Sequence, residues 1–239
     1  MEGIVYIAGQ KAGKAGDMVD ENAELEVRGN ENAFVSRGGK KIEKALNYFN
    51  IDPTDLVVMD VGASTGGFTD CLLRRGARKV YSIDVGYGQL AWSLRQDPRV
   101  KCMERTNIRY VTPDMLDETP SLAVIDVSFI LLRLVLPVVA GLLDETGRIA
   151  CLIKPQFEAG KGKVGKKGVV RDPAIHKEVL EAFLENAKAA GMHVHDMTFS
   201  PIKGPEGNIE FLGYLGKTLP DSELDLDAVV RDAHAALDA

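Results

Sequence analysis

LVVMDVGASTGGFTD, residues 56–70, decides how the rest of the chain is read. Four apolar residues, Leu56 to Met59, run into Asp60, then into a loop with Gly62, Gly66 and Gly67, then into the helical pattern FTDCLLRRG. A short apolar run that ends at a glycine-rich turn and opens a helix is the first β-loop-α unit of a doubly wound fold. Glycine serves where the chain turns sharply or where a ligand must approach bare backbone. The free N–H groups of the following helix face that ligand. The dinucleotide fingerprint G-x-G-x-x-G is not met, because the order here is Gly62-Ala63-Ser64-Thr65-Gly66-Gly67. Without the glycine that admits a pyrophosphate, the loop suits a nucleoside-type ligand with no diphosphate, such as S-adenosylmethionine. The alternative is any tight strand-to-helix turn.

Outward from this unit, apolar runs alternate with helical patterns. Strands are expected at Lys79–Asp84, Arg99–Met103, Leu122–Asp126 and Arg148–Lys154, and again at His193–Ser200 and Asn208–Leu215. Helices are expected over Tyr87–Asp97, over Phe129–Leu143 with a bend or restart near Pro137, and from Asp172-Pro173 to about Ala190. Upstream, SRGGKKIEKALNYFN is a helix with Ser36 as its N-cap, and residues 221–239 form an acidic terminal helix. Pro155–Arg171 lacks apolar periodicity and carries Gly160, Gly162, Gly165 and Gly168, so a mobile loop is expected. This alternation is that of a mostly parallel sheet covered on both faces, an α/β class. Residues 1–32 hold only short strand-like pieces and form a separate small unit before the 33–239 domain.

The 239 residues carry a net charge of −6, unevenly spread. Residues 17–32 and 221–239 each hold six acids against one arginine, which leaves the body net basic. Lys161, Lys163, Lys166, Lys167 and Arg171 form a run without an acid, and Arg37, Lys40, Lys41 and Lys44 form another cluster. Such patches attract phosphate, although a solvated face explains them as well. No apolar run is long enough to cross a bilayer and no signal peptide is evident. The three cysteines and four histidines show no metal-ligand spacing. A cytoplasmic protein that needs neither metal nor membrane is the expectation.

Ligands of open α/β sheets bind at the carboxyl ends of the strands. Asp60, Asp84, Asp126 and Lys154 all reach that edge. Asp84, ending the second strand, suits ribose hydroxyls. A lysine and an aspartate side by side, here Lys154 and Asp126, are a possible proton-handling pair or a structural ion pair.

SRGGKKIEKAL, DVGASTGGFTDCLLRRGA, VYSIDVGYGQLAWSLRQDPRV, ERTNIR, DVSFI, IKPQFEAGK and GNIEFL together resemble the TlyA, or hemolysin A, family of FtsJ-like methyltransferases over roughly residues 3–215. The resemblance implies a Rossmann-like class I fold and transfer of a methyl group from S-adenosylmethionine to the ribose 2′-hydroxyl of cytidine in ribosomal RNA or ribosomal subunits. It also implies a catalytic tetrad of Lys41, Asp126, Lys154 and Glu210. Lys154 would deprotonate the hydroxyl with Asp126 steering it, while Lys41 and Glu210 hold the ribose. The cofactor would lie over Gly62, Ala63, Ser64, Thr65, Gly66 and Gly67 with Asp84 on its ribose, and Asp60, Glu104 and Asn107 would border the pocket. Arg37, Lys40, Lys44 and the Lys161–Arg171 run would hold RNA phosphates.

Two departures stand out. Leu131 occupies a position that is usually serine in the family. The family's N-terminal RNA-binding domain, two helices before a small sheet, is represented only by its sheet half. The expectation is that Met1 corresponds to an internal methionine of relatives, that residues 1–30 are loosely ordered and that substrate affinity suffers more than cofactor affinity. A pore-forming hemolysin, a non-catalytic ribosome-assembly factor and a small-molecule methyltransferase are the competing readings.

Overall fold

The computed structural model describes residues 5–13, 18–20, 22–27, 33–160, 162–165 and 167–238. Lys161 and Lys166, and the residues around Met1, lie outside them. The chain divides into two compact units, Met1–Ala33 and Phe34–Ala239. The first contains β1 (Val5–Ile7), β2 (Gln10–Lys11) and β3 (Leu25–Val27), an antiparallel sheet in the order β2-β1-β3.

The second unit begins with α1 (Gly38–Tyr48) and then winds β4 (Val57–Val61), α2 (Gly67–Arg74), β5 (Lys79–Ile83), α3 (Trp92–Arg95), β6 (Val100–Met103), β7 (Leu122–Ile125), α4 (Leu132–Leu142) and β8 (Arg148–Ile153). It closes with α5 (Pro155–Glu158), α6 (Pro173–Ala189), β9 (His193–Phe199), β10 (Phe211–Gly216) and α7 (Leu226–Leu237). The sheet order is β6-β5-β4-β7-β8-β10-β9. The first five strands in that order pair in parallel; β10 runs antiparallel between β8 and β9. The fold is the Rossmann-like doubly wound sheet expected of the sequence, with the chain reversing direction at β4 so that β7 lies on its other side.

Strand alternation sorts the core into two layers. Val57, Met59 and Val61 join Ile125, Ile153 and the apolar faces of α4 and α6 on one side. Val58, Val80 and Val124 meet Leu46 of α1 and Leu72 of α2 on the other. The four inner strands of the parallel core, β4, β5, β7 and β8, are buried on both faces, which is why these segments read as continuous apolar runs, while the edge strand β6 is only partly buried.

Several expected elements differ. Tyr87–Asp97 is helical only over Trp92–Arg95. Glu104 accepts the backbone N–H groups of Gly88, Gln89 and Leu90, and that anion nest holds the segment as a loop. The helix expected from Phe129 starts at Leu132, because Phe129 stands at φ 61°, and it runs through Pro137 without interruption. Ser36 does not cap α1 with its side chain; Arg37 takes the N-cap position, and the Ser36 carbonyl accepts from Gly39 N–H. The segment expected to be loop from Pro155 opens with the short helix α5, which proline at its first position favours. Asp172 caps α6 as expected, accepting from Ala174 N–H at 2.9 Å.

Candidate active site

The turn from β4 to α2 holds its shape through three left-handed residues, Gly62 (φ 89°), Ser64 (φ 49°) and Gly66 (φ 98°). A Cβ on Gly62 would strike the Asp126 carbonyl, and one on Gly66 would strike Leu94. A Cβ on Gly67 would strike the Ser36 hydroxyl and the α1 backbone. The glycines of the motif thus let protein approach protein. Of residues 62–67, Gly62 and Ser64 line the adjoining cavity, whereas Ala63, Thr65, Gly66 and Gly67 do not.

That cavity has a volume of about 710 Å³ and opens at the carboxyl ends of β4, β5 and β7. Such a volume is ample for a nucleoside-sized ligand. Ile83, Ile108, Val127, Ile130 and Leu134 supply apolar wall, and Asp84, Gln89, Asn107, Asp126 and Ser128 supply polar groups. The donor set fits S-adenosylmethionine: apolar side chains for a purine, carboxylates for ribose hydroxyls and for positive charge. Asp84 accepts the backbone N–H of Ser64 at 2.8 Å and of Gly86 at 2.7 Å, so it sets the loop while facing the cavity. Asn107 lines the cavity and caps the short turn Ile108–Tyr110.

Two expected pocket residues lie elsewhere. Glu104 is spent on the 88–90 nest and on an ion pair with Arg95, whose hydrogen bond holds its carboxyl at about 2. Asp60 is fully buried and accepts the Thr69 hydroxyl at 2.6 Å. Side-chain alternation, which turns Asp60 toward α2, could have signalled this.

The four residues of the implied tetrad form two ion pairs. Lys154, just past β8, reaches Asp126, just past β7, at 2.5 Å, and donates to Ser128 Oγ at 3.1 Å. Lys41 of α1 reaches Glu210 at 2.5 Å. Phe211 pairs with Ile153 across β10 and β8, so continuing the register by one residue sets Glu210 opposite Lys154. Gln156, in the first turn of α5, donates to Glu210 Oε1 at 3.2 Å and ties the two pairs' surroundings together. Gln156 was not picked out from the sequence, and no local pattern marks it.

The segment 127–131, which joins β7 to α4, forms one rim of the cavity. Phe129 is 91% exposed and its ring packs 4.9 Å from that of Phe157. Glu158 accepts the Leu132 N–H at 2.9 Å and so fixes the end of this rim; burial pushes its carboxyl up. Leu131, the departure from the family pattern, lines the cavity wall.

Of the basic residues, Arg37 and Lys40 are exposed. Lys44 lies over the Phe199 ring at 3.5 Å, and its partial burial lowers its pKa. Lys163, Lys167 and Arg171 border a separate groove of about 310 Å³, with Lys163 paired to Glu178. Among the described residues no helix is long and apolar enough to cross a membrane, and no cluster of His, Cys, Asp or Glu is arranged to hold a metal ion.

Residues 34–217 match the family model described as FtsJ-like methyltransferase. The chain is 49% identical to YqxC of Bacillus subtilis over 99% of its own length and 87% of that protein. It is 44% identical to the 16S/23S rRNA (cytidine-2′-O)-methyltransferase TlyA of Mycobacterium tuberculosis, covering 98% of this chain and 88% of that one. A solved structure from Streptococcus thermophilus carrying a hemolysin label superposes with a TM-score of 0.85 at 45% identity, covering 99% of this chain and 88% of that one.

Proposed function

The chain belongs to the FtsJ-like methyltransferase family, and from that membership we propose that it methylates the ribose 2′-hydroxyl of a cytidine in ribosomal RNA, with S-adenosylmethionine as donor. The observation that carries the reading is the Lys154–Asp126 pair, 2.5 Å apart, with Asp126 in the wall of a nucleoside-sized cavity. When bound, the cofactor supplies an already activated methyl group. The chain's own residues need only align the nucleophile and manage one proton.

Lys154, entering the step as its neutral amine, would take the proton that the 2′-hydroxyl gives up. Asp126 and Ser128 hold the lysine amine in place. Lys41 and Glu210 hold the ribose from the α1 and β10 side, with Gln156 fixing the Glu210 carboxylate. Gly62, Ser64, Asp84 and Asn107 hold the cofactor. Phe129 offers an exposed ring on which a nucleobase drawn out of its stack can rest. Lys163, Lys167, Arg171, Arg37 and Lys40 contact RNA phosphates. A cytoplasmic location is part of the same reading.

Transfer of a labelled methyl group to ribosomal RNA, followed by mapping of 2′-O-methyl cytidines, tests it. Transfer to ribose is expected for the native chain and loss of it for Lys154→Ala. Undiminished transfer by the variant removes Lys154 from the reaction, and labelling of bases alone overturns the ribose assignment.

A further inference from the structure

Three carboxylates converge on the carboxyl edge of the sheet, one from each of β5, β4 and β7. Two are compensated: Asp84 takes two backbone N–H groups and Asp126 is ion-paired with Lys154. Asp60 has no paired cation, and the backbone N–H of Thr69 is its one contact from the main chain among the described residues. It is 0% exposed, one oxygen meets the Thr69 hydroxyl at 2.6 Å, and the other, Oδ1, has no hydrogen-bond partner. Thr69 in turn meets Ser82 Oγ at 2.8 Å, where either hydroxyl can donate. An anionic oxygen in that position is unsolvated and unpaired, which is costly; the neutral acid is not. The network accommodates both forms, because reversing the two hydroxyls lets Asp60 donate to Thr69 instead of accepting from it.

We propose that Asp60 is carried as a neutral carboxylic acid in the free chain and gives up its proton to solvent when the cationic sulfonium of the cofactor enters the adjoining cavity, so that cofactor binding is linked to proton release. This rests on the cavity assignment of the preceding section. The groups facing Asp60 support the coupling. Burial drives its pKa up to about 7 against the Thr69 hydroxyl, and Asp126 and Asp84, both in the cavity wall, add repulsion. A cation placed between those two walls relieves the repulsion and favours the carboxylate. Lys154 already serves Asp126, so none of the hydrogen bonds or ion pairs around Asp60 among the described residues supplies that charge.

Two measurements decide it. In the free chain, carbon-13 NMR of carboxyl-labelled aspartates is expected to show one buried aspartate still protonated at pH 5.5, where ordinary aspartates are ionised. Calorimetric titration at pH 7 in buffers of different ionisation enthalpy is expected to show release of about half a proton per S-adenosylmethionine bound. Less release is expected with S-adenosylhomocysteine, whose sulfur is neutral, and none with Asp60→Asn. A free chain whose aspartates are all ionised at pH 5.5, or equal release with both compounds, overturns the proposal. Absence of binding by either compound overturns the cavity assignment and the linkage with it, while the free-chain titration still reports on the acid by itself.

Discussion

Two lysine–carboxylate pairs of equal length, 2.5 Å, stand near one another at the end of β8 and β10, yet they are not equivalent. The lysines are similarly buried, at 9% and 10% side-chain exposure. The carboxylates are not: Asp126 is 20% exposed, while Glu210 is 1% exposed. Asp126 also borders the cavity, whereas Glu210 is enclosed by Lys41, Gln156 and the backbone at Gly204. The same two functional groups therefore have different freedom. The open pair can exchange contacts with an incoming hydroxyl at little structural cost. The closed pair joins α1 to the start of β10, and removing either partner strands a buried charge.

Substitutions can break this contrast, and the largest effect is expected at the open pair. Lys154→Ala should lower methyl transfer by about 10²–10⁴-fold, the range for loss of a positioned proton acceptor, with a smaller loss of thermal stability than at the closed pair. Steady-state transfer assays beside a melting curve measure both. At the closed pair the order reverses. Lys41→Ala or Glu210→Ala should cost about 3–5 kcal/mol of stability in denaturant titrations. The double change Lys41→Met with Glu210→Met should recover much of that stability without restoring transfer. If the single variants melt like the parent, the pair does not clamp α1 to β10.

A smaller effect is expected at the rim. Glu158→Ala removes the acceptor for Leu132 N–H and should cost about 1 kcal/mol. Because the rim it fixes carries Phe129 and begins next to Asp126, KM for RNA should rise alongside the loss of stability. A change confined to stability would detach Glu158 from the site.

The smallest effect is expected at a histidine that belongs to neither pair, although its ring packs 5.4 Å from that of Phe211, the residue after Glu210. His176 is buried against Val170 O and His234, and burial lowers its pKa to about 4. The unfolded chain takes up that proton first, near pH 6.5, so the contribution is whole at pH 7 and lost as pH falls toward 4. About 1 kcal/mol should be lost between pH 7 and 5.5, and His176→Asn should lack that part of the pH dependence in melts.

The parallel core was legible because its strands are buried on both faces and each ends in a polar residue at the ligand edge. Leu122–Ile125 and Arg148–Ile153 fall within one residue of the expected spans, and Val57–Val61 begins one residue after and ends two residues after the apolar run Leu56–Met59. The boundaries that failed were those set by side chains from elsewhere. The segment before Trp92 reads as helix until Glu104, 14 residues beyond Leu90, collects its N–H groups. Phe129 fits an apolar helix until the chain must turn sharply beside the cavity at φ 61°.

What the sequence determined by itself is local: apolar runs of strand length, glycines at a strand-to-helix turn, and acids and a lysine at strand ends. Hydrophobic periodicity and backbone sterics act over a few residues, so they can be read from neighbours alone. Only the tertiary structure decided which charges meet. Lys41 and Glu210 are 169 residues apart in the chain and are joined because β10 inserts antiparallel beside β8. The same packing put Asp60 beneath Thr69 instead of in the cavity, and made Gly66 and Gly67 contacts for Leu94 and α1. A charge takes its partner and its solvation from whatever the fold brings beside it, and that neighbour is not written in the adjacent sequence.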